Sequence, residues 1–496
     1  MAARPGITQE RGFTGERIDV VNPRTGAVDY RFAAPSRAEL AAEARRLRAG
    51  QRAWRTVPLD HRIEVMSRWR KRLLAETGPI VDALATDTGR YLIAQSEFQS
   101  VPGAIERWCR TVAELAIDRE DTPLVSMSTN PAIRFRAQYL PYPLVGVISP
   151  WNFPLTLAFI DAIPALLAGC AVLIKPSEIT PRFAEPVRRT IEAVPELGQV
   201  LSIVPGARET GEALVELVDA ICFTGSVRTG RIVAENAARQ FIPAFLELGG
   251  NDPMIITASA DLERATHVAL RSTCLATGQA CQSIERIYVH RSIYERFVAR
   301  LVDKARQVEP NWPDMHAGTI GPFIFGRQAE IVAEQLADAV AKGARILCGG
   351  QIEVHGGKWL RPTVLVDVDH TMKIMTEETF GPVIPVMPFD DVEQAIELAN
   401  DGVYGLSAAV IAGTLEEAEA IGRRIDAGGI SLNDGSLTAV CHEAEKHSFK
   451  LSGMGGSRMG PAGYLRFFRK KALIHQCGAP MTIDMIAEAN ARPAGR

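Results

Sequence analysis

The chain has 496 residues, 47% hydrophobic and 23% charged, with Lys+Arg 55 against Asp+Glu 58 and a net charge of -3. That length needs two or three cores rather than one, and the balanced charge leaves no electrostatic footprint for nucleic acid or an anionic membrane. Its 8 cysteines form no C-x-x-C pair and its 9 histidines no cluster at zinc-ligand spacing, so the expectation is reduced thiols, a cytoplasmic protein and no metal centre.

Residues 1–16 are polar, carry Arg4 and Arg11, and contain no apolar stretch, so they do not read as a secretory leader. Residues 36–118 read as helical. Segment 132–139 is strand-like and stands before the first α/β unit. The apolar stretch 155–174 could be mistaken for a membrane span, but Asp161, Pro164 and Gly169 interrupt it. An amphipathic helix running into a buried strand is expected there.

From 143 onward, strand-like runs at 144–149, 171–175, 201–204, 220–223 and 244–247 alternate with helical segments. A second series follows, with strands at 254–257, 286–290, 344–347, 383–387, 408–411 and 430–432. Its helices are expected at 261–277, 293–308, 326–342 and 392–400. Alternation at this interval implies βαβ units and parallel sheets. Two closely packed α/β lobes are therefore expected, with their boundary near Gly249, where ligand clefts tend to form. Near the end, 465–475 is basic and apolar, with a short strand at 472–474. On pattern alone the two outlying strands suit either an edge hairpin or a subunit contact.

Chemistry-bearing residues gather at strand ends and at the lobe boundary. No G-x-G-x-x-G follows the first strand, and Arg231-Ile232 stands where a phosphate loop requires Lys-Ser/Thr. Instead Lys175-Pro176-Ser177-Glu178, Pro205-Gly206 and Phe223-Thr224-Gly225-Ser226 end successive strands, where α/β sheets bind ligands. The Gly225-Ser226 turn would present backbone N–H groups to a pyrophosphate. Each turn alone suits ordinary turn chemistry; together they point to a dinucleotide. Asn152, within Pro150-Trp151-Asn152-Phe153-Pro154, is a turn residue or an oxyanion donor. Glu247 ends an apolar run against Gly249-Gly250, and Cys281 follows Gly278-Gln279-Ala280. A carboxylate and a thiol on neighbouring loops can be a base and a nucleophile.

In order, Pro-Trp-Asn-Phe-Pro, Lys-Pro-Ser-Glu, Phe-Thr-Gly-Ser, Glu-Leu-Gly-Gly-Asn, Gly-Gln-x-Cys and Glu-Glu-x-Phe-Gly-Pro run from 150 to 382. This set resembles the NAD(P)-dependent aldehyde dehydrogenase superfamily over nearly the whole chain. The resemblance implies an α/β fold of two parallel-sheet lobes with a small β oligomerisation element. It assigns 1–118 and 142–249 to a Rossmann-like NAD-binding domain and 250–435 to a catalytic domain. Segments 119–141 and 461–496 would be the oligomerisation element, and 436–460 an active-site-lining connection.

By the same resemblance Cys281 attacks an aldehyde, Asn152 and the Cys281 N–H hold the oxyanion, and Glu247 activates water against the thioester. The implied cofactor contacts are Ile148, Pro150, Trp151, Lys175, Ser177, Glu178, Gly206, Gly211, Phe223, Thr224, Gly225, Ser226, Leu248, Gly249, Glu378 and Phe380. Among them Glu178 would accept from a ribose 2′-OH and repel a 2′-phosphate, which favours NAD while leaving NADP usable. A homodimer or homotetramer is implied. The alternatives are a CoA-acylating semialdehyde dehydrogenase, against which Glu247 argues, and a non-catalytic aldehyde-dehydrogenase-like binding protein.

One stretch departs from the family pattern. Most relatives carry Pro-Phe-Gly-Gly-x-Lys-x-Ser-Gly where this chain has Glu445-Lys446-His447-Ser448-Phe449-Lys450-Leu451-Ser452-Gly453. The preceding glycine pair is missing, which leaves the substrate open. Residues 434–447 read as pocket wall, polar through Ser436, Thr438, His442 and Glu443. His442 and Glu443 read as solvated loop residues, and Cys274 as helix packing.

Overall fold

The computed structural model describes residues 17–115, 117 and 123–488. Residues 1–16, 116, 118–122 and 489–496, which include the polar N-terminal segment and parts of both outlying segments, lie outside the described residues.

Two large sheets carry the fold. The first contains Leu144–Ile148 (β1), Ala171–Lys175 (β2), Leu201–Ile203 (β3), Ala220–Thr224 (β4) and Ala244–Glu247 (β5). Strands β1, β2 and β4 are buried at every residue, which explains why they read as continuous apolar runs rather than alternating ones. The five strands are parallel in the order β3-β2-β1-β4-β5. Chain order reverses at β1, so a crevice opens above the C-terminal ends of β1 and β4.

The second sheet begins directly after Gly249-Gly250-Asn251. Its strands are Asp252–Ile256 (β6), Ile284–His290 (β7), Arg345–Cys348 (β8), Thr363–Val366 (β9), Val383–Phe389 (β10), Ser407–Ile411 (β11) and Gly429–Leu432 (β12). They lie in the order β8-β9-β10-β7-β6-β11-β12, parallel except for β8 against β9. Strand β9 escaped the sequence reading because four buried residues after Pro362 carry no period.

A sixth strand closes the first sheet. Gly453–Met454 (β13) returns from beyond the second sheet and pairs antiparallel with β5, placing Gly453 opposite Glu247. The Leu248 amide donates to the Ser452 carbonyl at 2.8 Å, which fixes that register. The late segment is thereby stitched to the strand that ends in the carboxylate.

Helices Arg37–Trp54, Leu59–Ala75, Thr77–Thr88 and Tyr91–Leu115 pack with the first sheet into one core. Ser36 and Glu39 form a capping box on the first of them. The helix Pro154–Ala168 corrects an expectation. It is not amphipathic but buried on nearly all sides, because helices and sheet enclose it. Its Asp161 is tolerated there by Arg458 and Arg466, which both donate to its carboxylate. Outside the two large sheets, Phe468–Gln476 pairs with Ile133–Pro141 over nine residue pairs, with Val125–Ser126 on the outer edge. Both long strands extend beyond the expected 472–474 and 132–139. Among the described residues, no helix is long and apolar enough to cross a membrane.

Candidate active site

The site is built where the turn after β1 meets the loop before β7. Asn152 is 3% exposed, and its Nδ2 donates to the Gln279 carbonyl at 3.0 Å. An amide NH2 has two hydrogens. One is spent on Gln279 and orients the group, and the other remains for a ligand oxygen. The Asn152 carbonyl accepts from Arg90 Nη2 at 2.7 Å, while Arg90 Nη1 donates to the Ala276 carbonyl at 2.7 Å. One buried guanidinium therefore clamps the Asn152 turn to the loop that carries Cys281. Burial lowers its pKa to about 10, well above neutrality, so the clamp stays charged. Nearby, Glu97 accepts from the Leu155 and Thr156 amides and caps the helix that follows Asn152.

The loop around Cys281 is tightly held. The expected helix over 261–277 ends earlier, at Cys274, and the chain then turns through Ala276 and Thr277 at φ 55 and 63. Two such positive values at non-glycine residues hold only where the surroundings dictate them. Thr277 Oγ1 donates to the Gly321 carbonyl, and Gln279 Nε2 donates to the Pro322 carbonyl. Gly278, at φ +68, lies so close to Gly381 that a Cβ would come within 2.3 Å of it. Cys274 is buried at the helix end, as its packing role required.

Cys281 itself is half-buried. Burial pushes its thiol up to about 12. Glu378 and Asp252 push the same way, while Lys446 and Arg458 oppose them. The Glu247 carboxylate lies on the neighbouring strand end. It is engaged not by the thiol but by Ser448, whose Oγ donates to Oε2 at 2.7 Å. Arg458, held by Asp161, also donates to Thr224 Oγ1 at 2.8 Å, and its charge acts on Glu247 and Cys281.

The residues expected to contact a dinucleotide fall along the crevice. Lys175 and Glu178 form an ion pair at 3.0 Å above β2. Ser177 Oγ accepts from the Ile179 amide, a local turn bond. Gly206 packs on Thr210, and Gly211 faces Ile148 across the start of the next helix. Phe223 fills the space beneath Gly225, where a Cβ would meet its ring at 2.5 Å. Ser226 is the N-cap of Val227–Arg239, its Oγ accepting from Thr229, so its hydroxyl already serves the helix. Trp151 meets Phe380 edge-on at 5.3 Å, with Pro150 beside it on the turn.

Leu248 packs against Gly230. Gly249 lies under Glu378, whose carboxylate a Cβ would approach to 2.4 Å. Burial pushes the Glu378 carboxyl up, and Gly250 N–H donates to it. Glu285, beneath, is pushed up by burial and by Glu378, and accepts from the Thr379 and Phe380 amides.

These features fit a dinucleotide: a glycine cradle at a helix N-terminus, an aromatic pair at the turn, and a Lys–Glu pair one strand away. Among the described residues, no three His, Cys, Asp or Glu side chains gather as metal ligands.

The segment after β12 meets the loop of Cys281. Ser436 Oγ donates to the Gln282 carbonyl, and Thr438 Oγ1 donates to Gln282 Oε1 at 2.5 Å, so this segment touches the residue next to Cys281. Glu443 is exposed, but His442 is half-buried rather than solvated. Burial and the nearby Arg107 lower its pKa to about 4, so it is neutral at physiological pH. Sequence reasoning missed Arg90, Ser448, Lys446 and Arg458 as site residues. Only the departure from the family pattern signalled the middle two.

The family model described as "Aldehyde dehydrogenase family" matches residues 11–473. A relative named "Putative succinate-semialdehyde dehydrogenase (NADP(+)) 2" of Mycobacterium tuberculosis is 34% identical over 479 residues, covering 95% of this chain and 89% of that protein. The solved structure of "Putative Aldehyde Dehydrogenase PutA" from Anabaena variabilis superposes with a TM-score of 0.91 at 50% identity, covering 94% of this chain and 99% of that one. Betaine aldehyde dehydrogenase from Staphylococcus aureus, solved in complex with NAD+, gives a TM-score of 0.87 at 26% identity, covering 95% and 94%.

Proposed function

This chain belongs to the aldehyde dehydrogenase family and is an NAD(P)-dependent oxidoreductase acting on aldehydes; from that premise we propose that Cys281, Asn152 and Glu247 convert an aldehyde to a carboxylic acid in two steps. In the first, the Cys281 thiolate attacks the carbonyl carbon, forming a C–S bond. The resulting oxyanion lies between the free Asn152 Nδ2 hydrogen and the Cys281 backbone N–H. When bound, the nicotinamide supplies the acceptor for the hydride lost from that carbon. In the second step water attacks the thioester, Glu247 takes its proton, and the C–S bond breaks to release the acid and regenerate the Cys281 thiolate. The observation that carries this reading is the bond from Asn152 to Gln279, two residues before the thiol. It joins the candidate oxyanion donor to the candidate nucleophile across two different strand ends. A preorganised amide needs no rearrangement as charge develops.

The cofactor would lie over β1, β2 and β4, held by Trp151, Lys175, Glu178, the Gly225-Ser226 turn, Gly249, Glu378 and Phe380. NAD is the preferred form in this reading, because the Glu178 carboxylate beside Lys175 accepts from a 2′-OH and repels a 2′-phosphate. The first sheet with its helices would serve as cofactor domain and the second as catalytic domain. The strands Ile133–Pro141 and Phe468–Gln476 would make a dimer or tetramer contact, a role supported by exposed Phe135 and Ile474. Eight free cysteines suit a reducing, cytoplasmic setting.

The test is Cys281→Ala assayed with an aldehyde panel and both cofactors. NADH production should fall by roughly 10⁴-fold or more, with NAD binding by calorimetry retained. Substantial remaining turnover would sink the nucleophile assignment.

A further inference from the structure

Ser448 stands where the family pattern has the second glycine of its Gly-Gly pair, counted back from Ser452-Gly453. A glycine has no side chain to offer. Ser448 Oγ instead donates to Glu247 Oε2 at 2.7 Å.

The placement is dictated from both sides. Gly453 pairs with Glu247 across the sheet, and a Cβ on Gly453 would come within 2.6 Å of Ser448 Cβ. The serine therefore sits directly over the strand pair that holds the carboxylate. Ser452 locks the return of the segment, its amide donating to Phe449 and its hydroxyl accepting from Gly405. The neighbouring basic side chains take other partners or act from further off. His447 Nδ1 is bonded to the Gly455 carbonyl, and Arg458 is committed to Asp161 and Thr224. Lys446 lies with its stem against Gly429, and its charge acts on Cys281 and Asp252.

We propose that Ser448 is a positioning residue for Glu247: its hydroxyl fixes one carboxylate oxygen and leaves the other free to take the proton of the attacking water. A glutamate has three rotatable bonds, and a base must reach its proton within hydrogen-bond distance. A hydroxyl bond to a charged carboxylate is among the stronger single contacts available for holding it. The inference rests on Glu247 being the base of the second step. It concerns deacylation alone, since the Ser448 hydroxyl is bonded to Glu247 and not to Asn152 or the thiol.

The test uses the full-length enzyme with propanal or benzaldehyde, whichever is turned over faster, and NAD. Ser448→Ala and Ser448→Gly should each lower steady-state kcat by roughly tenfold while keeping a first-turnover NADH burst of wild-type rate. Ser448→Thr, which keeps the hydroxyl, should restore most of the turnover. In a Glu247→Gln background the Ser448→Ala change should add nothing further, because the two act as one unit. Unchanged kcat in Ser448→Ala and Ser448→Gly would overturn the inference while leaving the base intact if Glu247→Gln alone is slow. Loss of the burst together with kcat would also overturn it. Glu247→Gln with wild-type kcat would bring down the base assignment itself.

Discussion

The turn after β1 and the segment from Asp434 to Arg458 both contact the loop of Cys281, yet they are built differently. The turn is short: strand, Asn152, then a helix capped by Glu97, with Asn152 bonded across to Gln279. The later segment is a strap that crosses from the second sheet to the first, ends as β13, and is held only by what it meets. The turn offers one chemistry-bearing residue at a strand end. The strap instead contributes several modest contacts, from Ser436, Thr438, Lys446, Ser448 and Arg458. The difference this contrast teaches is between contacts concentrated on one residue at a strand end and contacts spread along a strap.

That division is breakable by experiment. Asn152→Ala should lower kcat by roughly 10²–10³-fold, about 3 kcal/mol, with little change in KM. A similar loss from any single strap residue would erase the contrast.

The thiol tests whether the strap also tunes the turn's side of the cleft. With the Cys281 thiol pushed to about 12, the free enzyme holds it protonated at neutral pH. A pKa raised above the working range means the thiolate fraction grows about tenfold for each pH unit upward. Alkylation of Cys281 by iodoacetamide, followed by peptide mass spectrometry, should accelerate in that proportion between pH 7 and 10. Lys446→Met removes a charge that lowers this pKa and should slow the alkylation a few-fold at every pH. A flat pH profile would show that a thiolate is already present.

Arg90→Met should remove both carbonyl contacts of the clamp and destabilise the protein by about 2–3 kcal/mol, read as a lower midpoint in urea. Retained stability would mean that the turn and the Cys281 loop are held by packing alone. The smallest effect is expected from Thr438→Val. It loses one hydrogen bond to Gln282 and should change KM among aldehydes by a few-fold while leaving kcat near wild type.

Much of this was legible in the sequence. Strands β1, β2 and β4 announced themselves as short apolar runs bounded by turn residues, because a strand buried on both faces has nothing else to be. The residues at their C-terminal ends, Asn152, Lys175 and Thr224, were found with them. Strand β9 was not, since its four residues acquire their role only between β8 and β10. The helix Pro154–Ala168 was expected, but its burial on nearly all sides was not, because what surrounds a helix is not written in its own period.

The sequence by itself determined the α/β alternation and singled out the candidate thiol, amide and carboxylate, since local patterns and strand-end positions carry those. Only the tertiary structure decided which groups meet: Asn152 with Gln279, Arg90 with two loops 62 and 186 positions away, and Glu247 with Ser448 across 201 positions. The physical reason is that hydrogen bonds act over about 3 Å of space and are indifferent to separation along the chain.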